Sequence, residues 1–547
     1  MLFDYAYKGS STVASSSKET DVSFVPDASR EPTYFVGELR QKIEFREAIS
    51  ALHDVVVSDL RFKAKDKTAY KEWAAQREQI DWQQVAAQRG EVAAKIIVLQ
   101  SELTDLNKRR SSRWTPFYKA RADYYKFLYE KYRDRWFVLD PVITVHPDEV
   151  FFECFSEDES SYGRLGANYE VFDNVKEFEC GTTNIDYSAA LYDEFQKIRT
   201  YKRTKFEIDP SGFEVATTNE DSFKEVKIDL PDSWVRGFLQ VSSAMSLPTV
   251  KFDLHPLDVY NICHILRRKK EKQSPRSMRY ILKPNEPVKI ILEPWNIEIV
   301  CSRTRFEGNE SHDIRVWGRR RILILERLIS VAKKFTVHLL GSGMPSFYVA
   351  DLGDLNFTLG LSGWTANDWS KSGNFDLLAS RGHVDDWTKE NVFSELKKNW
   401  FATPDQLSEK LHLDRATILS ALSAYTQAGR AIYDLDKGVY RARELSREPL
   451  PLEKLRFANE REESAMRFQE GNLITFTERK HLENSGLYLA GSVREGENYS
   501  DTTMTIDGDG RLVDAKCDCY YFKTNQLYRG PCEHILALRM AEQKRGR

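Results

Sequence analysis

The stretch CDCYYFKTNQLYRGPCEH, residues 517–534, decides how the C-terminal part of this 547-residue chain folds. Three cysteines and one histidine stand there in two pairs, Cys517 with Cys519 and Cys532 with His534. Three thiolates and one imidazole are the four ligands of a closed tetrahedral zinc site. We therefore expect these side chains to bind one structural Zn²⁺. A catalytic zinc is the less favoured alternative, because no Glu is clearly placed as a base.

The flanking residues predict the local structure around the two pairs. Cys517 and Cys519 project to the same face if the segment is extended, because side chains alternate along a strand. Residues 511–513 lead into this strand, and a turn at residues 507–510 predicts pairing with residues 502–506. The second pair follows Gly530-Pro531 and opens an apolar helix. Such a small piece depends on its metal, since zinc contributes roughly 10–16 kcal/mol to small zinc modules.

The pattern C-x-C, spacer, C-x-H resembles the SWIM zinc finger, which consists of a two-stranded hairpin followed by a helix. The residues around both pairs, 517–522 and 530–538, also resemble the usual context of that family. The resemblance implies a ββα zinc finger within residues 470–547.

Residues 386–445 predict three helices and a hairpin. A helix opens at Thr388, Thr403 and Gln406 form a capping box, and Asp414 caps a third helix. This order resembles a winged helix-turn-helix. The basic side chains suited to contact DNA are Arg415 on the third helix and Lys437 and Arg441 on the hairpin. Basic and acidic residues are nearly balanced here, so protein interaction or interdomain scaffolding is favoured over DNA binding, and both stay open.

The rest of the chain predicts a multidomain α+β protein. Residues 1–34 are predicted to be a flexible tail, because they contain too few apolar residues to order themselves. Apolar residues at spacings of three and four predict helical hairpins or a coiled coil over residues 35–138. Short β-branched and aromatic runs predict a mixed α+β region over residues 139–380, as one large unit or two smaller ones.

Three basic segments are candidate nucleic-acid contacts. The first, residues 108–135, interleaves aromatic residues with a basic cluster that includes Arg109, Arg110 and Arg113. An amphipathic helix that buries its rings while Lys and Arg extend to solvent has the same composition, and it is the favoured alternative. The other two segments, residues 267–279 and 319–321, form either one surface with the first or separate ones.

Composition and motifs limit the classes of function. A formal net charge of −3 excludes a uniformly basic chromatin-type protein. The motifs of nucleotide hydrolysis, zinc proteolysis and serine hydrolysis do not occur, so we expect no enzyme activity and no small-molecule substrate. An enzyme with an unrecognised site in residues 140–380 is a third hypothesis. No apolar stretch is long enough for a bilayer, and we expect no membrane partner and a cytoplasmic location.

Two further segments carry a second resemblance. Together with the finger, residues Glu153–Tyr162 and Leu359–Ser370 resemble bacterial SWIM proteins found with MoxR-type AAA+ ATPases and von Willebrand A-domain proteins. The resemblance implies a non-enzymatic adaptor or recognition subunit whose partners are such an ATPase and a von Willebrand A-domain protein. The alternative is a DNA-binding protein that uses the winged helix and the SWIM finger.

Overall fold

A computed structural model describes a large part of the chain. The described residues are 12–15, 19–24, 33–58, 101–103, 141–176, 178–184, 195–201, 203–208, 232–270, 276–363, 368–370, 374–382, 384–445, 460–482 and 486–545. The chain divides into two compact units, residues 1–58 with 139–547, and residues 59–138. Most of the predicted helical hairpins lie in the second unit and outside the described residues, as do Arg109, Arg110 and Arg113.

The described helices and strands are numbered in chain order. The helices are α1 (Lys42–Val56), α2 (Asp232–Met245), α3 (Pro256–Arg268), α4 (Asp386–Asn399), α5 (Pro404–Leu411), α6 (Arg415–Gln427), α7 (Glu460–Glu470), α8 (Tyr520–Asn525) and α9 (Glu533–Arg545). The strands are β1 (Thr12–Ser15), β2 (Glu19–Phe24), β3 (Phe35–Leu39), β4 (Val142–Val145), β5 (Glu149–Phe155), β6 (Ser161–Asn168), β7 (Phe172–Asp173), β8 (Gly181–Asn184), β9 (Arg203–Ile208), β10 (Val250–Leu254), β11 (Met278–Leu282), β12 (Pro287–Leu292), β13 (Ile297–Arg305), β14 (His312–Val316), β15 (Lys334–Leu339), β16 (Ser346–Asp351), β17 (Leu355–Leu361), β18 (Phe401–Ala402), β19 (Ala431–Asp434), β20 (Val439–Ala442), β21 (Ile474–His481), β22 (Leu487–Glu495), β23 (Asn498–Ile506) and β24 (Leu512–Cys517). A 3₁₀ segment spans Arg319–Leu328.

An eight-stranded antiparallel sheet forms the centre of the first unit, in the order β10-β15-β16-β17-β6-β5-β4-β8. Strands β17 and β6 join its two halves, with Leu361 opposite Ser161. Both β5 and β17 are buried along their whole length, although polar residues such as Glu153 and Asn356 stand among their apolar ones. Gly163 allows α1 to approach the sheet, because a Cβ there would lie 3.0 Å from Val55 Cγ2. The predicted α+β region therefore contains one continuous sheet.

Two smaller sheets adjoin the large one. One is antiparallel with the order β13-β12-β11-β14, and the hydroxyls of Tyr280 and Tyr348 lie 3.1 Å apart between it and the large sheet. The other has the order β1-β2-β9-β3-β7, in which β2 and β9 are parallel. Strands β1 and β2 lie in the predicted flexible tail, and this part of the prediction is corrected. The tail orders there because β9, far along the chain, supplies backbone hydrogen bonds to β2.

Residues 384–445, called the 384–445 module below, have their own apolar core around Val392, Leu396 and Leu422. The predicted three helices are α4, α5 and α6, and the predicted hairpin, called the wing, is β19–β20. The capping box of Thr403 and Gln406 is present. Helix α4 begins at Asp386 rather than Thr388, because the Asp385 carboxylate accepts a hydrogen bond from the Thr388 N–H. Membership of the winged-helix family stays a prediction.

The C-terminal region, residues 474–545, is called the finger below. Its sheet has the order β21-β22-β23-β24, two strands more than the predicted hairpin. Helix α9 packs on this sheet, and α7, upstream of the finger, packs on α9. In the part of the chain described, no helix is both long and apolar enough to cross a membrane.

Candidate metal centre

The four predicted ligands come from three adjacent elements of the finger. Cys517 is the last residue of β24, and Cys519 is the N-cap of α8 in an extended conformation. The extended backbone through residue 519 is the one predicted for the first pair. Cys532 directly precedes α9, and His534 lies in the first turn of that helix. The cross-strand pairing of Thr502 with Cys517 fixes β24 against β23.

The ligand atoms of Cys517, Cys519, Cys532 and His534 all lie within 4.8 Å of one another. Cys517 Sγ and His534 Nδ1 are 3.8 Å apart. Tetrahedral zinc, with Zn–S of about 2.3 Å and Zn–N of about 2.0–2.1 Å, requires ligand atoms roughly 3.6–3.8 Å apart. The cluster therefore fits a structural zinc, and the predicted ligand set is confirmed. Because protein atoms fill all four positions, none is left for a reacting water.

Two hydrogen bonds support the thiolates. The Thr502 hydroxyl donates to Cys517 Sγ at 3.3 Å, and the Phe522 N–H donates to Cys519 Sγ, also at 3.3 Å. Donors aimed at a ligand sulfur stabilise its negative charge and fix its direction toward the ion. The second bond is an N-cap contact, so the start of α8 and the ligand position depend on each other.

The imidazole of His534 is held from two sides. Its ring stacks on Phe468 of α7, with centroids 5.6 Å apart and planes 11° from parallel. Its Nε2 lies 3.6 Å from Glu495 Oε2, while Nδ1 faces Cys517. A carboxylate beside the free nitrogen of a ligand histidine favours the tautomer that binds the metal through the other nitrogen.

Hydrogen bonds among the ligands shift their pKa values in different directions. Burial alone would lower the pKa of His534, but hydrogen bonds to Cys517 and Cys519 raise it to about 10. Hydrogen bonds from Cys519 and Cys532 lower the pKa of Cys517, whereas the hydrogen bond to Cys517 raises the pKa of Cys532. A divalent ion permits three thiolates and a neutral imidazole together.

The loop before Cys532 is fixed from outside the finger. Arg461 of α7 donates to the Pro531 carbonyl at 2.9 Å and to the Arg529 carbonyl at 3.1 Å. Gly530 has a positive φ of 83°, and a Cβ there would lie 2.8 Å from the Asn374 carbonyl oxygen. Two distant segments thus set the approach of the second ligand pair, and no spacing in the sequence signals either.

A buried arginine joins the finger to the rest of the first unit. Arg539 of α9 donates to the carbonyl oxygens of Leu377, Ala379 and Gly510, each at 2.7 Å. Burial lowers the pKa of Arg539 to about 9, because its partners are neutral carbonyls rather than carboxylates. The finger is thus docked on residues 377–379, a contact that the sequence does not indicate.

The predicted nucleic-acid contacts in the 384–445 module are all engaged with carboxylates. Arg441 is fully buried and bonds Asp148 at 2.9 and 3.0 Å and Asp434 at 2.8 Å. Lys437 lies 3.1 Å from Asp148. Arg415 is 3.0 Å from Asp509 of the finger and also pairs with Asp405. Arg441 is therefore an interior residue that attaches the wing to the large sheet.

The wing attachment extends beyond Arg441. Arg443 is buried and bonds both carboxylate oxygens of Glu153 at 3.0 and 2.9 Å, and Arg164 lies 3.3 Å from Asp434. His146 Nε2–H donates to the Ala442 carbonyl at 2.6 Å, and Nδ1 accepts from Arg441 at 3.3 Å. Since a carbonyl only accepts and a guanidinium only donates, the ring is neutral with its proton on Nε2. Burial and the charge of Arg441 lower the pKa of His146 to about 3.

The two segments that carry the second resemblance are neighbours in space. Residues Glu153–Tyr162 include the turn between β5 and β6. The second segment, Leu359–Ser370, begins with the last three residues of β17, which pair with the start of β6. The backbone N–H of Trp369 donates to the Glu159 carbonyl at 2.8 Å, and the Trp369 ring is fully buried. Trp369 therefore packs in the core beneath the β5–β6 turn.

Comparison with known proteins identifies the metal centre. No protein of curated function matches the chain. Solved structures similar to it include proliferating cellular nuclear antigen from Entamoeba histolytica, at 11% identity and a TM-score of 0.29, covering 41% of this chain and 89% of that one. Another is A. fulgidus PCNA bound by the C-terminal region of FEN-1, at 14% identity and a TM-score of 0.28, covering 42% and 91%. Residues 503–538 match the SWIM zinc finger family, and the four ligands lie in that span, so the match and the ligand cluster together support one structural zinc in this part of the chain.

Proposed function

We propose that the protein is a non-enzymatic, zinc-binding adaptor or recognition subunit that contacts other proteins in a MoxR-type AAA+ ATPase system. The observation that carries this proposal is the closed ligand set of the finger. All four ligands are protein side chains within 4.8 Å of one another, so the zinc shapes a surface instead of activating a substrate.

The metal end of the finger offers a surface suited to a protein partner. Tyr520, next to the ligand Cys519, is 85% exposed, and Tyr499 on β23 is 61% exposed. The Asp518 N–H donates to the Asp501 carbonyl at 3.2 Å, which holds the two tyrosine-bearing segments together. Exposed tyrosines are frequent anchors of protein interfaces.

The charge of this surface also favours a protein over a nucleic acid. Exposed acidic and basic side chains occur together there, with no excess of positive charge: Arg494, Glu495, Glu497, Asp501, Lys516, Asp518 and Lys523. Binding to a phosphate backbone requires such an excess. A mixed rim around exposed aromatic residues is common in protein–protein interfaces.

The identity of the partners is supported by the second resemblance. It rests on the finger and on residues Glu153–Tyr162 and Leu359–Ser370, which adjoin in the β6–β17 pairing. Its implied partners are a MoxR-type AAA+ ATPase and a von Willebrand A-domain protein.

Association with the ATPase is tested by mixing the full, zinc-loaded chain with a purified MoxR-type ATPase from the same organism in the presence of ATP. We expect a complex by size-exclusion chromatography, weakened at least about tenfold by Tyr499→Ala with Tyr520→Ala, since aromatic anchors contribute about 2 kcal/mol or more. The matched control is Tyr201→Ala, which removes a tyrosine that is 76% exposed and outside the finger. Absence of a complex at micromolar concentrations would refute the proposal.

DNA binding through the wing and the finger is the second candidate, favoured by the order of helices and strands in the 384–445 module. It requires Arg415 and Lys437 to exchange their present carboxylates for phosphates. Duplex affinity should then fall with salt, with a log–log slope of about −0.9 per phosphate contact. No duplex binding at about 50 mM salt excludes this candidate.

A further inference from the structure

The two basic segments at residues 267–279 and 319–321 meet around Trp295. Arg320 Nη1 donates to the Leu266 carbonyl at the end of α3, at 3.0 Å, and Arg319 Nη1 donates to the Ser277 carbonyl at 2.6 Å. The Arg319 guanidinium lies 4.5 Å from the centroid of the Trp295 ring, and Lys269 Nζ lies 5.8 Å from it. These segments therefore share one surface. The residues of this Trp295 surface are Tyr260, His264, Arg268, Lys269, Lys270, Arg276, Trp295 and Arg320.

The Trp295 surface carries four exposed cations besides Arg320. Arg268, Lys269, Lys270 and Arg276 are all exposed, and within the described ranges none forms an ion pair with a carboxylate. Arg267, by contrast, is paired with Glu326. The predicted DNA contacts of the 384–445 module are likewise paired, so the positive charge open to a ligand lies here rather than on the wing.

Two exposed aromatic rings precede Arg268 at intervals of one helical turn on α3. Tyr260 and His264, one turn apart on α3, have ring centroids 5.8 Å apart and planes 28° from parallel. Tyr260 is 47% exposed, and His264 is also exposed. Proteins that bind single-stranded nucleic acid combine cations that follow the backbone with aromatic rings on which bases stack. In a duplex the base faces are already stacked, so only a single strand uses both features.

We propose that the Trp295 surface binds single-stranded nucleic acid. Its exposed cations contact the phosphates, and Tyr260 and His264 stack on unpaired bases. This inference goes beyond the adaptor function and does not depend on it, since the surface lies outside the finger. An acidic protein segment would use the cations without the rings, and the test separates the two ligands.

The test measures fluorescence anisotropy of a labelled oligothymidylate of about 16 nucleotides with the full, zinc-loaded chain. We expect binding at about 50 mM salt, tighter than to a duplex of the same length, with a log–log salt slope of about −0.7 per phosphate contact. The variant Arg268→Gln, Lys269→Gln, Lys270→Gln, Arg276→Gln should lose at least about tenfold in affinity, and its slope should be shallower by roughly 2 to 3. These side chains are exposed, so zinc content and thermal unfolding should be unchanged.

A matched control removes the same charge elsewhere. The variant Lys251→Gln, Lys398→Gln, Lys516→Gln, Lys523→Gln replaces four exposed lysines and should lose less than about threefold in affinity, because long-range attraction is screened by salt. Tyr260→Ser with His264→Ser should weaken oligothymidylate binding but leave polyglutamate binding unchanged. Three results overturn the proposal: no binding of the single strand at about 50 mM salt, equal losses in the two charge variants, or tighter binding of duplex or polyglutamate than of oligothymidylate.

Discussion

The finger and the 384–445 module are two small regions of the first unit, and they are stabilised in different ways. The module buries an apolar core of its own, in which Val392, Leu396 and Leu422 are at most 1% exposed. The finger instead collects three sulfurs and an imidazole around an ion. The module has helix caps and apolar periodicity along its whole length, whereas the finger depends on four side chains.

The attachments of the two regions differ as well. Both use a buried arginine, but Arg539 of the finger bonds only backbone carbonyls, whereas Arg441 of the module bonds carboxylates. Burial accordingly lowers the pKa of Arg539 to about 9, while for Arg441 the charge of Glu149 and the hydrogen bond to Asp148 outweigh burial and raise the pKa. We therefore expect the stability of the finger to depend on bound metal. The stability of the wing attachment should depend on pH and on its buried charges.

Removal of one metal ligand should produce the largest difference in stability between the finger and the 384–445 module. Cys532→Ser leaves three ligands, and zinc contributes roughly 10–16 kcal/mol to small zinc modules. We expect zinc content below one ion per chain and fast hydrogen exchange from β23 to α9, with protection retained in α4 to α6. Cys180→Ser, which removes a half-buried cysteine outside the finger, should keep full zinc content. A full zinc complement in Cys532→Ser would contradict the assigned ligand set.

The second-largest effect is expected from loss of Arg441, which should destabilise the contact between the wing and the large sheet. Arg441→Met leaves Asp148 and Asp434 with one buried cation fewer, and breaking such a pair costs about 3–5 kcal/mol. The free energy of unfolding in denaturant measures this loss. In the control Lys397→Met, an exposed pair with Glu444 is lost, which should cost less than about 1 kcal/mol. Equal effects of the two substitutions would show that Arg441 is not held as described.

Acid should weaken the wing attachment through His146. Its pKa is about 3 when folded, against 6.5 for the free side chain, so between these values only the unfolded chain takes up the proton. The free energy of unfolding therefore falls as pH drops from 6.5 toward 3, by up to about 1.4 kcal/mol per pH unit. His146→Gln keeps a donor for the Ala442 carbonyl and an acceptor for Arg441 and should show a shallower fall.

The acid effect is measured as the difference between the pH profiles of wild type and His146→Gln, so that groups common to both proteins cancel. Asp434 does not confound the measurement above pH 4. Although burial opposes it, the charges of Arg164 and Arg441 lower the pKa of Asp434 from 3.8 to about 2, so its stabilisation is lost only between those two values as pH falls. Identical pH profiles of wild type and His146→Gln would contradict the buried neutral imidazole.

A smaller effect is expected from removal of the Thr502 hydroxyl, which donates to the ligand sulfur of Cys517. Thr502→Val removes the donor to Cys517 Sγ, and loss of such a supporting contact lowers metal affinity by roughly tenfold or more. Competition with a chromophoric chelator measures the affinity. Thr503→Val changes the next residue of the strand, whose side chain points to the opposite face, and should bind zinc like the wild type.

The smallest change should come from a helix cap in the 384–445 module. Thr403→Ala removes the hydroxyl that accepts from the Gln406 N–H at 3.1 Å, and the loss of an N-cap costs about 1 kcal/mol. Thermal or denaturant unfolding measures this loss. In the control Ser394→Ala, on the exposed side of α4, the free energy of unfolding should stay within about 0.5 kcal/mol of wild type. Zinc content should be normal in both variants, since neither residue lies in the finger.

The sequence predicted those features that depend on residues close together in the chain. The zinc ligands, the capping box at Thr403 and the β23–β24 hairpin each lie within a short span, where spacing and propensity determine the geometry. The SWIM family match confirms the finger.

Features that depend on residues far apart in the chain could not be predicted, because spacing and propensity act only over short spans of sequence. Arg441 looks like an exposed hairpin cation, because its partner Asp148 lies 293 residues earlier. Strand β2 looks like part of a polar tail, because its neighbour β9 begins at residue 203. Thr502 and Phe468 are ordinary residues by sequence and support the metal centre only once β23 and α7 reach it.

The wing attachment also has a consequence for how the protein is made. Asp148 leaves the ribosome 293 residues before Arg441, which at 5–20 residues per second is a delay on the order of 15 to 60 s. During that time Asp148, directly before β5, and Glu153 in β5 lack Arg441 and Arg443, the cations that they pair with in the fold, and their charges oppose burial of the strand in an apolar core. Nascent β5 should therefore remain hydrated, with its apolar residues accessible to chaperones, until Arg441 and Arg443 have been synthesised.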